Sequence, residues 1–336
     1  MLDIENLNSI DVKKMYQVYD EWPEISQNAY NTKLEPIEIS NINHIIFAGM
    51  GGSGAICDIF SSIFSKSSLH ISVIKGYVLP KTVNKNTLVV TISVSGNTVE
   101  TLAILKQAKN IGCKIISFSS GGEIKKFSQE NNLEYRKIEQ IHSPRSSFSN
   151  YLFGILKVLK PVLPIDEKDI LDSIEQLKIT RNNISSKNLT ESNKSLSLAY
   201  NIKGIPMIYY PFGLMAAAIR FKNSLQENAK QQSMTEDILE ACHNGIIAWE
   251  KPSLVQPILI EGKDDFIKTK ERWGIMREYF QMNKISFKEI FSIDGNILTK
   301  LINLIYVLDY ATLYYSVIIK TDPSPTKSID FIKSKL

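Results

Sequence analysis

Cysteine and histidine are scarce in this sequence, and neither is arranged as a metal site. Four histidines and three cysteines occur among 336 residues, without a CxxC pair or a Cys/His cluster. Cys57, Cys113 and Cys242 are odd in number and far apart, so they give no disulfide framework. The sequence therefore predicts no bound metal and a reducing compartment, the cytoplasm.

Long apolar runs and one-sided charge are missing as well. The N-terminal segment is polar and acidic, which predicts no secretory signal, and the apolar stretches are too short or too polar to suggest a membrane span. The 39 basic and 35 acidic residues give a net charge of +4, and no basic run contains interleaved aromatics. Nucleic-acid binding is therefore not expected, whereas an anionic small substrate is compatible with this charge.

What the chain does contain is apolar segments that alternate with helical patterns in both halves. Its hydrophobic fraction of 43% is enough for two domains with buried cores. Alternating strands and helices predict an α/β fold, with mostly parallel sheets and helices on both faces. The predicted strands are 44–48, 71–76, 87–93, 114–119 and 133–138 in the first half, and 206–210, 255–261 and 286–292 in the second.

The helical patterns divide the chain into three parts. A strongly apolar helix over 148–159 ends the first alternating set, and a polar segment rich in Lys, Asn and Ser follows it. We therefore expect a first domain at 1–160 with a leading helical segment, a helical linker at 161–195 and a second domain at 196–336. A long apolar helix over 298–320 is expected near the C-terminus.

A glycine-rich turn, GMGGSG at residues 49–54, follows the first predicted strand and precedes a helix. It satisfies the GxGxxG pattern of dinucleotide-binding folds, in which glycine lets the backbone approach an anion at a helix N-terminus. That pattern usually has an acid at the end of the second strand, where it holds a ribose. Here the second strand ends at Lys75-Gly76, so an NAD(P)-dependent oxidoreductase is an alternative that the sequence does not favour.

A serine-rich turn, SVSGNT at residues 93–98, follows the third predicted strand and opens another helix. Taken alone, Ser and Thr at a helix start are an ordinary N-cap signal. Both turns, however, follow strands of one predicted parallel sheet, and the carboxyl ends of such strands are where ligands bind. Hydroxyl and backbone N–H groups can surround a phosphate monoester without any base or ribose pocket.

Together the two turns resemble the sugar isomerase (SIS) domain. Later motifs are similar to markers of the bifunctional phosphoglucose/phosphomannose isomerases: PRSS at 144–147, QENAK at 226–230, EACHN at 240–244 and DPSP at 322–325. The resemblance extends from about residue 40 to the end of the chain. It implies two flavodoxin-like SIS domains in tandem with the site between them, a homodimer, no metal and no cofactor.

The resemblance also implies which residues act on a hexose 6-phosphate. The sugar site would be lined by Gly51, Gly52 and Ser53, and the 6-phosphate would be bound by Ser93, Ser95 and Thr98. The remaining roles are Arg145 near the reacting oxygens, Glu227 as catalytic base, His243 from the partner subunit for ring opening, and Lys320 on the last helix as a further polar contact.

The chain departs from the family pattern near two of these residues. The family tends to have Asn-His-Asn-Glu around the histidine, whereas this chain has Cys242-His243-Asn244-Gly245, although His243 keeps its place 16 residues after Glu227. The family also usually has a glycine near Lys320. In some members a threonine on the last helix is linked to the acceptance of mannose 6-phosphate, and Thr312 is the candidate here.

The residue types fit the chemistry of aldose–ketose isomerisation. This reaction moves a proton between neighbouring carbons through an enediol, and a partly buried carboxylate suits it because burial raises a carboxyl pKa. Glu227 is expected at the C-terminal end of a helix over 214–229. Arg145 supplies a positive charge for the enediolate, and His243 supplies an acid for ring opening.

The predicted activity is therefore the interconversion of glucose 6-phosphate, fructose 6-phosphate and mannose 6-phosphate. A non-catalytic sugar-phosphate sensor, which would need Ser93, Ser95 and Thr98 but neither Glu227 nor His243, is the second alternative.

Overall fold

The computed structural model describes residues 2–335, and their contacts form two compact units. Residues 21–174 form the first unit, and residues 2–20 with 175–335 form the second. This grouping differs from the predicted first domain at 1–160, because the leading residues belong with the second half of the chain.

Strands and helices alternate along most of the described chain. The strands of the first unit are β1 (His44–Ala48), β2 (His70–Ile74), β3 (Thr87–Ile92), β4 (Lys114–Ser119) and β5 (Glu134–Lys137). Those of the second unit are β6 (Ile205–Tyr210), β7 (Met234–Asp237), β8 (Val255–Glu261) and β9 (Lys288–Phe291). The helices are α1 (Ile4–Ile10), α2 (Met15–Asp20), α3 (Trp22–Tyr30), α4 (Gly51–Ile63), α5 (Val99–Ile111), α6 (Gly122–Glu130), α7 (Phe148–Leu159), α8 (Glu167–Ile184), α9 (Lys194–Asn201), α10 (Met215–Asn228), α11 (Ile238–Ala241), α12 (Ile267–Met282), α13 (Ile297–Ile318) and α14 (Lys327–Lys333).

The first unit is built on a five-stranded parallel sheet with the order β2-β1-β3-β4-β5. Its central strands are short apolar runs that are buried almost throughout, as expected when helices cover both faces. On one face Phe47 of β1 stacks on Phe60 of α4, with ring centroids 4.4 Å apart. On the other face Ile46 and Ala48 share an apolar cluster with Ile104 of α5. The predicted flavodoxin-like arrangement is confirmed.

The second unit contains a four-stranded parallel sheet with the order β7-β6-β8-β9. Tyr209 and Leu259 pack with Trp273 of α12 on one face, while the alternate residues Ile208 and Ile258 are fully buried on the other. Strand β7 was not predicted from the sequence. Its four residues, Met-Thr-Glu-Asp, are too polar and too few to show an apolar pattern.

The core of the second unit is the long helix α13. It is long and apolar enough to cross a membrane by length and composition, but 89% of its most apolar window is buried inside the protein. Helices α1, α2, α9 and α10 all pack on it. A helix that is apolar around its whole circumference needs such cover on every side, which explains why residues 2–20 join this unit.

Two element boundaries near the predicted site differ from those predicted from the sequence. Helix α4 begins at Gly51, so the glycine-rich turn forms its first turn instead of preceding it. Helix α13 ends at Ile318, and Lys320 lies beyond it with a φ of 57° instead of on the helix. The bond from Thr321 N–H to the carbonyl of Ser316, 2.7 Å long, closes this helix end. The predicted linker at 161–195 contains α8 and the first residues of α9.

Candidate active site

The first sheet changes its winding direction at β1 and β3. The chain passes from β1 to β2 on one side and then crosses to β3 on the other. In open parallel sheets, ligands bind in the crevice beyond the carboxyl ends of the two strands at this point. Ala48 and Thr91 are register partners near these ends, so the glycine-rich and serine-rich turns leave the sheet side by side.

The glycine-rich turn presents backbone to this crevice. Gly51 has a φ of 54°, which favours glycine, and the space around its missing side chain is open. A Cβ atom on Gly52 would lie 3.3 Å from the Cα atom of Arg145. The buried hydroxyl of Ser53 accepts a hydrogen bond from the N–H of Val94, 3.3 Å away. The turn is therefore packed against Arg145 and joined to the serine-rich turn.

The serine-rich turn brings three hydroxyl groups together. The Oγ atom of Ser93 lies 2.8 Å from Oγ1 of Thr98, and it also accepts the N–H of Gly96 at 3.1 Å. The Oγ atom of Ser95 accepts the N–H of Asn97 at 3.3 Å. Ser93 is almost fully buried, whereas Ser95 and Thr98 are partly exposed and can be reached by a ligand.

The serine-rich turn opens directly into α5, for which Thr98 is the N-cap residue. The Thr98 side chain does not cap this helix, because its hydroxyl is directed to Ser93. The first N–H groups of α5 therefore lack the usual side-chain cap and carry the partial positive charge of a helix N-terminus. Together with the hydroxyls they form a cradle suited to a phosphate dianion.

A supporting turn, residues 120–122 after β4, holds the serine-rich turn in place. The hydroxyl of Ser120 donates to the carbonyl of Val94 at 2.7 Å. A Cβ atom on Gly96 would lie only 1.8 Å from the carbonyl oxygen of Gly121, so these two backbones are in close contact. The supporting turn was not predicted from the sequence, although two consecutive glycines after a predicted strand are a signal for it.

Arg145 is buried in the segment that precedes α7. Ser147 fixes this segment, because its Oγ accepts the N–H of Ile141 at 2.8 Å and lies 2.9 Å from the carbonyl oxygen of Ser143, to which it donates. Since the backbone of Arg145 also contacts Gly52, the first unit brings Arg145 and both turns into one neighbourhood.

In the second unit, Glu227 lies in the last turn of α10, at the position predicted for it, and its side chain is half-buried. Lys230, which follows the helix end, donates to the carbonyl oxygen of Glu227 at 2.7 Å. Its Nζ atom also lies 3.2 Å from the carbonyl oxygens of Asp322 and Pro323. The QENAK and DPSP motifs are therefore in direct contact, which their separation in the sequence did not reveal.

His243 follows α11 and is exposed, and its imidazole makes no hydrogen bond to any of residues 2–335. Gly245, which stands where the family pattern has a glutamate, lies beside another acidic side chain. A Cβ atom there would lie 2.4 Å from Oε2 of Glu236, so the carboxylate of Glu236 fills the space beside the glycine. Burial, then Glu240 and Asp237, raises the pKa of Glu236.

Lys320 and Thr312, both in the last part of the chain, differ in how accessible they are to a ligand. Lys320 is exposed and lines a cavity of about 480 Å³ together with residues of α1, α9 and α13. Thr312 is fully buried: its hydroxyl accepts from Nδ2 of Asn228 and donates to the carbonyl of Asp309, both at 2.8 Å. Thr312 therefore bonds within the protein, and it is not open to a sugar.

An ion pair at the end of β2 was not among the predicted site residues. The Nζ atom of Lys75 lies 2.6 Å from the buried carboxylate of Asp58, and its Cε atom would be 3.3 Å from a Cβ on Gly54. In a dinucleotide-binding fold this strand end carries the acid that binds ribose. A lysine at this place does not fit that role. The signal for this position in the sequence is the absence of an acid after the second predicted strand.

The two units, each taken by itself, carry different chemical groups. The first unit offers hydroxyls, uncapped N–H groups and a guanidinium, and the second unit offers Glu227 and His243. Within residues 2–335, no three His, Cys, Asp or Glu side chains are grouped so that they could hold a metal ion.

Comparisons with known protein families match both units. The SIS domain family matches residues 38–152, and the family described as the bacterial phospho-glucose isomerase C-terminal SIS domain matches residues 191–336. The fold and the site thus define a protein with two SIS domains in tandem.

Curated relatives are similar over most of the chain. A bifunctional phosphoglucose/phosphomannose isomerase from Caldicellulosiruptor bescii is 28% identical over 338 residues, covering 96% of this chain and 98% of the relative. A D-glucosamine-6-phosphate 4-epimerase from Sulfolobus acidocaldarius is 27% identical over 235 residues, covering 69% and 72%. A crystal structure of a hypothetical protein from Thermus thermophilus has the same fold, with a TM-score of 0.70 at 12% identity over 98% of this chain and 88% of that one. Both halves of the chain therefore match SIS-domain families, and most of its length is similar to bifunctional phosphoglucose/phosphomannose isomerases.

Proposed function

We propose that the protein interconverts glucose 6-phosphate and fructose 6-phosphate through an enediol, and that it also accepts mannose 6-phosphate. The observation that carries this proposal is the cradle in the first unit. Ser93 and Thr98 pair their hydroxyls at 2.8 Å beside Ser95, at the uncapped start of α5. A phosphate monoester is the ligand that such a cradle favours, because donors surround its oxygens and no base pocket is required.

The chemical step needs one base, one fixed charge and one acid. Glu227 takes the proton from C2 of the open-chain aldose and returns it to C1 of the enediolate, which yields the ketose. Arg145 stabilises the negative oxygen of the enediolate, and His243 protonates the ring oxygen when the cyclic sugar opens. Gly51, Gly52 and Ser53 line the sugar site, and Lys320 adds a polar contact.

We also propose a cytoplasmic homodimer in which His243 of each subunit serves the site of its partner. The exposed imidazole of His243 supports this assignment, since it makes no hydrogen bond within the described chain. Two apolar side chains close to it in sequence, Leu239 and Ile247, are 40% and 60% exposed, which suits a contact surface.

A coupled assay for fructose 6-phosphate tests the proposal, with glucose 6-phosphate and mannose 6-phosphate as substrates and with no metal or nicotinamide added to the isomerase. Glu227→Gln should abolish turnover, because the amide keeps the volume of the side chain but cannot accept a proton. Its affinity for fructose 6-phosphate, measured by calorimetry, should stay within about threefold of the parent value.

Glu278→Gln is the matched control, since Glu278 is an exposed carboxylate on α12. It should retain full activity. Turnover that survived in Glu227→Gln would remove Glu227 as the base. Binding without turnover in the parent protein would support a sugar-phosphate sensor instead.

A 4-epimerase is the second candidate, because the Sulfolobus acidocaldarius relative carries that name and covers two thirds of the chain. Incubation with glucosamine 6-phosphate, followed by analysis of the sugar products, distinguishes the two reactions. An isomerase should leave C4 unchanged, whereas an epimerase would form the galactosamine phosphate.

A further inference from the structure

We propose that Asp309, Thr312 and Asn228 are positioning residues for Glu227, which they hold through a chain of buried hydrogen bonds between α10 and α13. The inference rests on the proposed function, in which Glu227 is the catalytic base. It assigns Thr312 a role on the base instead of on the sugar.

The chain of bonds begins at the carboxylate of Asp309, which is fully buried on α13. Arg220 donates to its Oδ2 from Nε at 3.0 Å and from Nη2 at 2.7 Å, and Ser224 donates to its Oδ1 at 2.7 Å. Both donors belong to α10 and are one turn apart. A single carboxylate of α13 thus binds two successive turns of the helix that carries Glu227.

The next turn of α10 is bound as well. The backbone carbonyl of Asp309 accepts from the hydroxyl of Thr312, and that hydroxyl accepts from Nδ2 of Asn228, each at 2.8 Å. Arg220, Ser224 and Asn228 are spaced by four residues, which places them on one face of α10. The bonded face therefore continues to the residue directly beside Glu227.

The need for such a chain follows from where Glu227 lies. Glu227 is in the last turn of α10, and last turns fray because their carbonyl groups lack helical partners. Lys230 binds the carbonyl of Glu227 from outside the helix, while Asn228 and Thr312 hold the same turn on its buried side. A base that must reach both C1 and C2 requires this restraint, because misplacement by about 1 Å can cost about 100-fold in rate.

The test is a matched set of threonine variants on α13. Thr312→Val keeps the shape of the side chain but removes the hydroxyl, and Thr312→Ser restores a hydroxyl. Thr299→Val is the control: Thr299 is equally buried on the same helix, and its hydroxyl makes no hydrogen bond within residues 2–335. We expect Thr312→Val to lower kcat at least about tenfold with KM changed less than about twofold, and Thr312→Ser to recover most of this loss.

A second readout reports on the position of the base and not on stability. With glucose 6-phosphate deuterated at C2, the fraction of label that arrives at C1 should fall in Thr312→Val, because a displaced carboxylate exchanges its deuteron with water before returning it. Thr299→Val should transfer as much label as the parent. If Thr312→Val does not fold, Asn228→Ala takes its place and should show the same loss of kcat and of label transfer.

The outcomes separate the inference from the proposed function. One set of results would overturn the positioning role alone: the parent isomerises hexose phosphates, Glu227→Gln is inactive, and Thr312→Val matches Thr299→Val in both readouts. The proposed function would then stand. If the parent is inactive, or if Glu227→Gln is active, the proposed function fails and the positioning role fails with it.

Discussion

At the scale of single residues, Gly96 and Gly112 show that one residue type can meet two different demands. They lie at opposite ends of α5, and both have positive φ angles, 73° and 75°. A Cβ atom on Gly96 would lie 1.8 Å from the carbonyl oxygen of Gly121, whereas no described atom beyond its chain neighbours lies within 4 Å of a Cβ on Gly112. Gly96 is required for close packing of two backbones, and Gly112 only ends a helix.

Gly96→Ala is therefore expected to disrupt the proposed phosphate cradle. The clash is with backbone, which cannot rotate away, so the serine-rich turn must shift. We expect the KM for glucose 6-phosphate to rise at least about tenfold, with a loss of stability that exceeds the roughly 1 kcal/mol expected for Gly112→Ala. Enzyme kinetics and urea unfolding of both variants check this expectation. Equal effects of the two substitutions would show that the contact with Gly121 is unimportant.

The predictability of the site residues depended on how local their partners are. The grouping of the Ser93 and Thr98 hydroxyls could be predicted because the turn and the helix start are contiguous in the sequence, and the structure pairs these hydroxyls directly. The fit of Glu236 beside Gly245 could not be predicted, because a missing Cβ does not indicate which distant group fills its space. Thr312 was assigned to the sugar for the same reason: its buried partners on α10 and α13 were not visible in the motif.

At the scale of elements, the adjacent strands β1 and β2 begin with a pair of histidines. His44 and His70 are register partners with ring centroids 4.6 Å apart. The Nε2 atoms of both rings reach the hydroxyl of Ser72, at 2.9 Å and 3.3 Å. Burial, and secondly the neighbouring His70, lowers the pKa of His44. The start of this strand pair is therefore sensitive to protonation.

The pKa of His44 predicts how stability changes with pH. Because it is lowered in the folded state, the unfolded chain binds more protons once the pH falls below the ordinary histidine pKa of about 6.5. The contribution of His44 thus reduces the free energy of unfolding as the pH falls through about 6.5 and below. His44→Gln should weaken this dependence, and His243→Gln, which removes an exposed imidazole, should preserve it. Urea unfolding near neutral and mildly acidic pH measures both, and an unchanged pH dependence in His44→Gln would contradict the assignment.

Strands could be predicted closely where burial was complete, and less closely where it was not. Strands β1, β3, β4 and β8 were recognised because they are continuous apolar runs between helices. The edge strands β2, β5 and β9 are partly exposed, and their predicted ends differ from the observed ones by one or two residues. Strand β7, also at an edge, was not predicted. Its strand conformation depends on parallel pairing with β6, and its own residues show no apolar pattern.

At the scale of the whole molecule, the grouping of residues 2–20 with the second unit depends on contacts across almost the full length of the sequence. The hydroxyl of Tyr306 on α13 donates to the carbonyl of Tyr19 at 2.6 Å, although 287 residues separate them. Tyr310 hydrogen-bonds to Asp20 in the same region. No local pattern carries such information, which is why the sequence placed the leading segment with the domain that follows it.

The proposed sharing of His243 between subunits predicts complementation between two inactive variants. In a mixed dimer of Glu227→Gln and His243→Ala subunits, one of the two sites would combine an intact Glu227 with an intact His243. Random exchange of subunits should therefore restore about a quarter of the parent activity per subunit, since half of the dimers are mixed and each has one working site. Mixing and refolding the two variants, followed by the coupled assay, measures this. Activity that stays absent in verified mixed dimers would place the imidazole in the same subunit as the base.

The close approach of the serine-rich turn to the supporting turn has a consequence for engineering. Because main-chain atoms form this contact, substitutions on the supporting turn cannot compensate for bulk at Gly96. A transplant of residues 93–98 alone into another parallel sheet would carry the hydroxyls without the scaffold that shapes them. A working graft would need both loops, carried on two neighbouring strands at their native spacing.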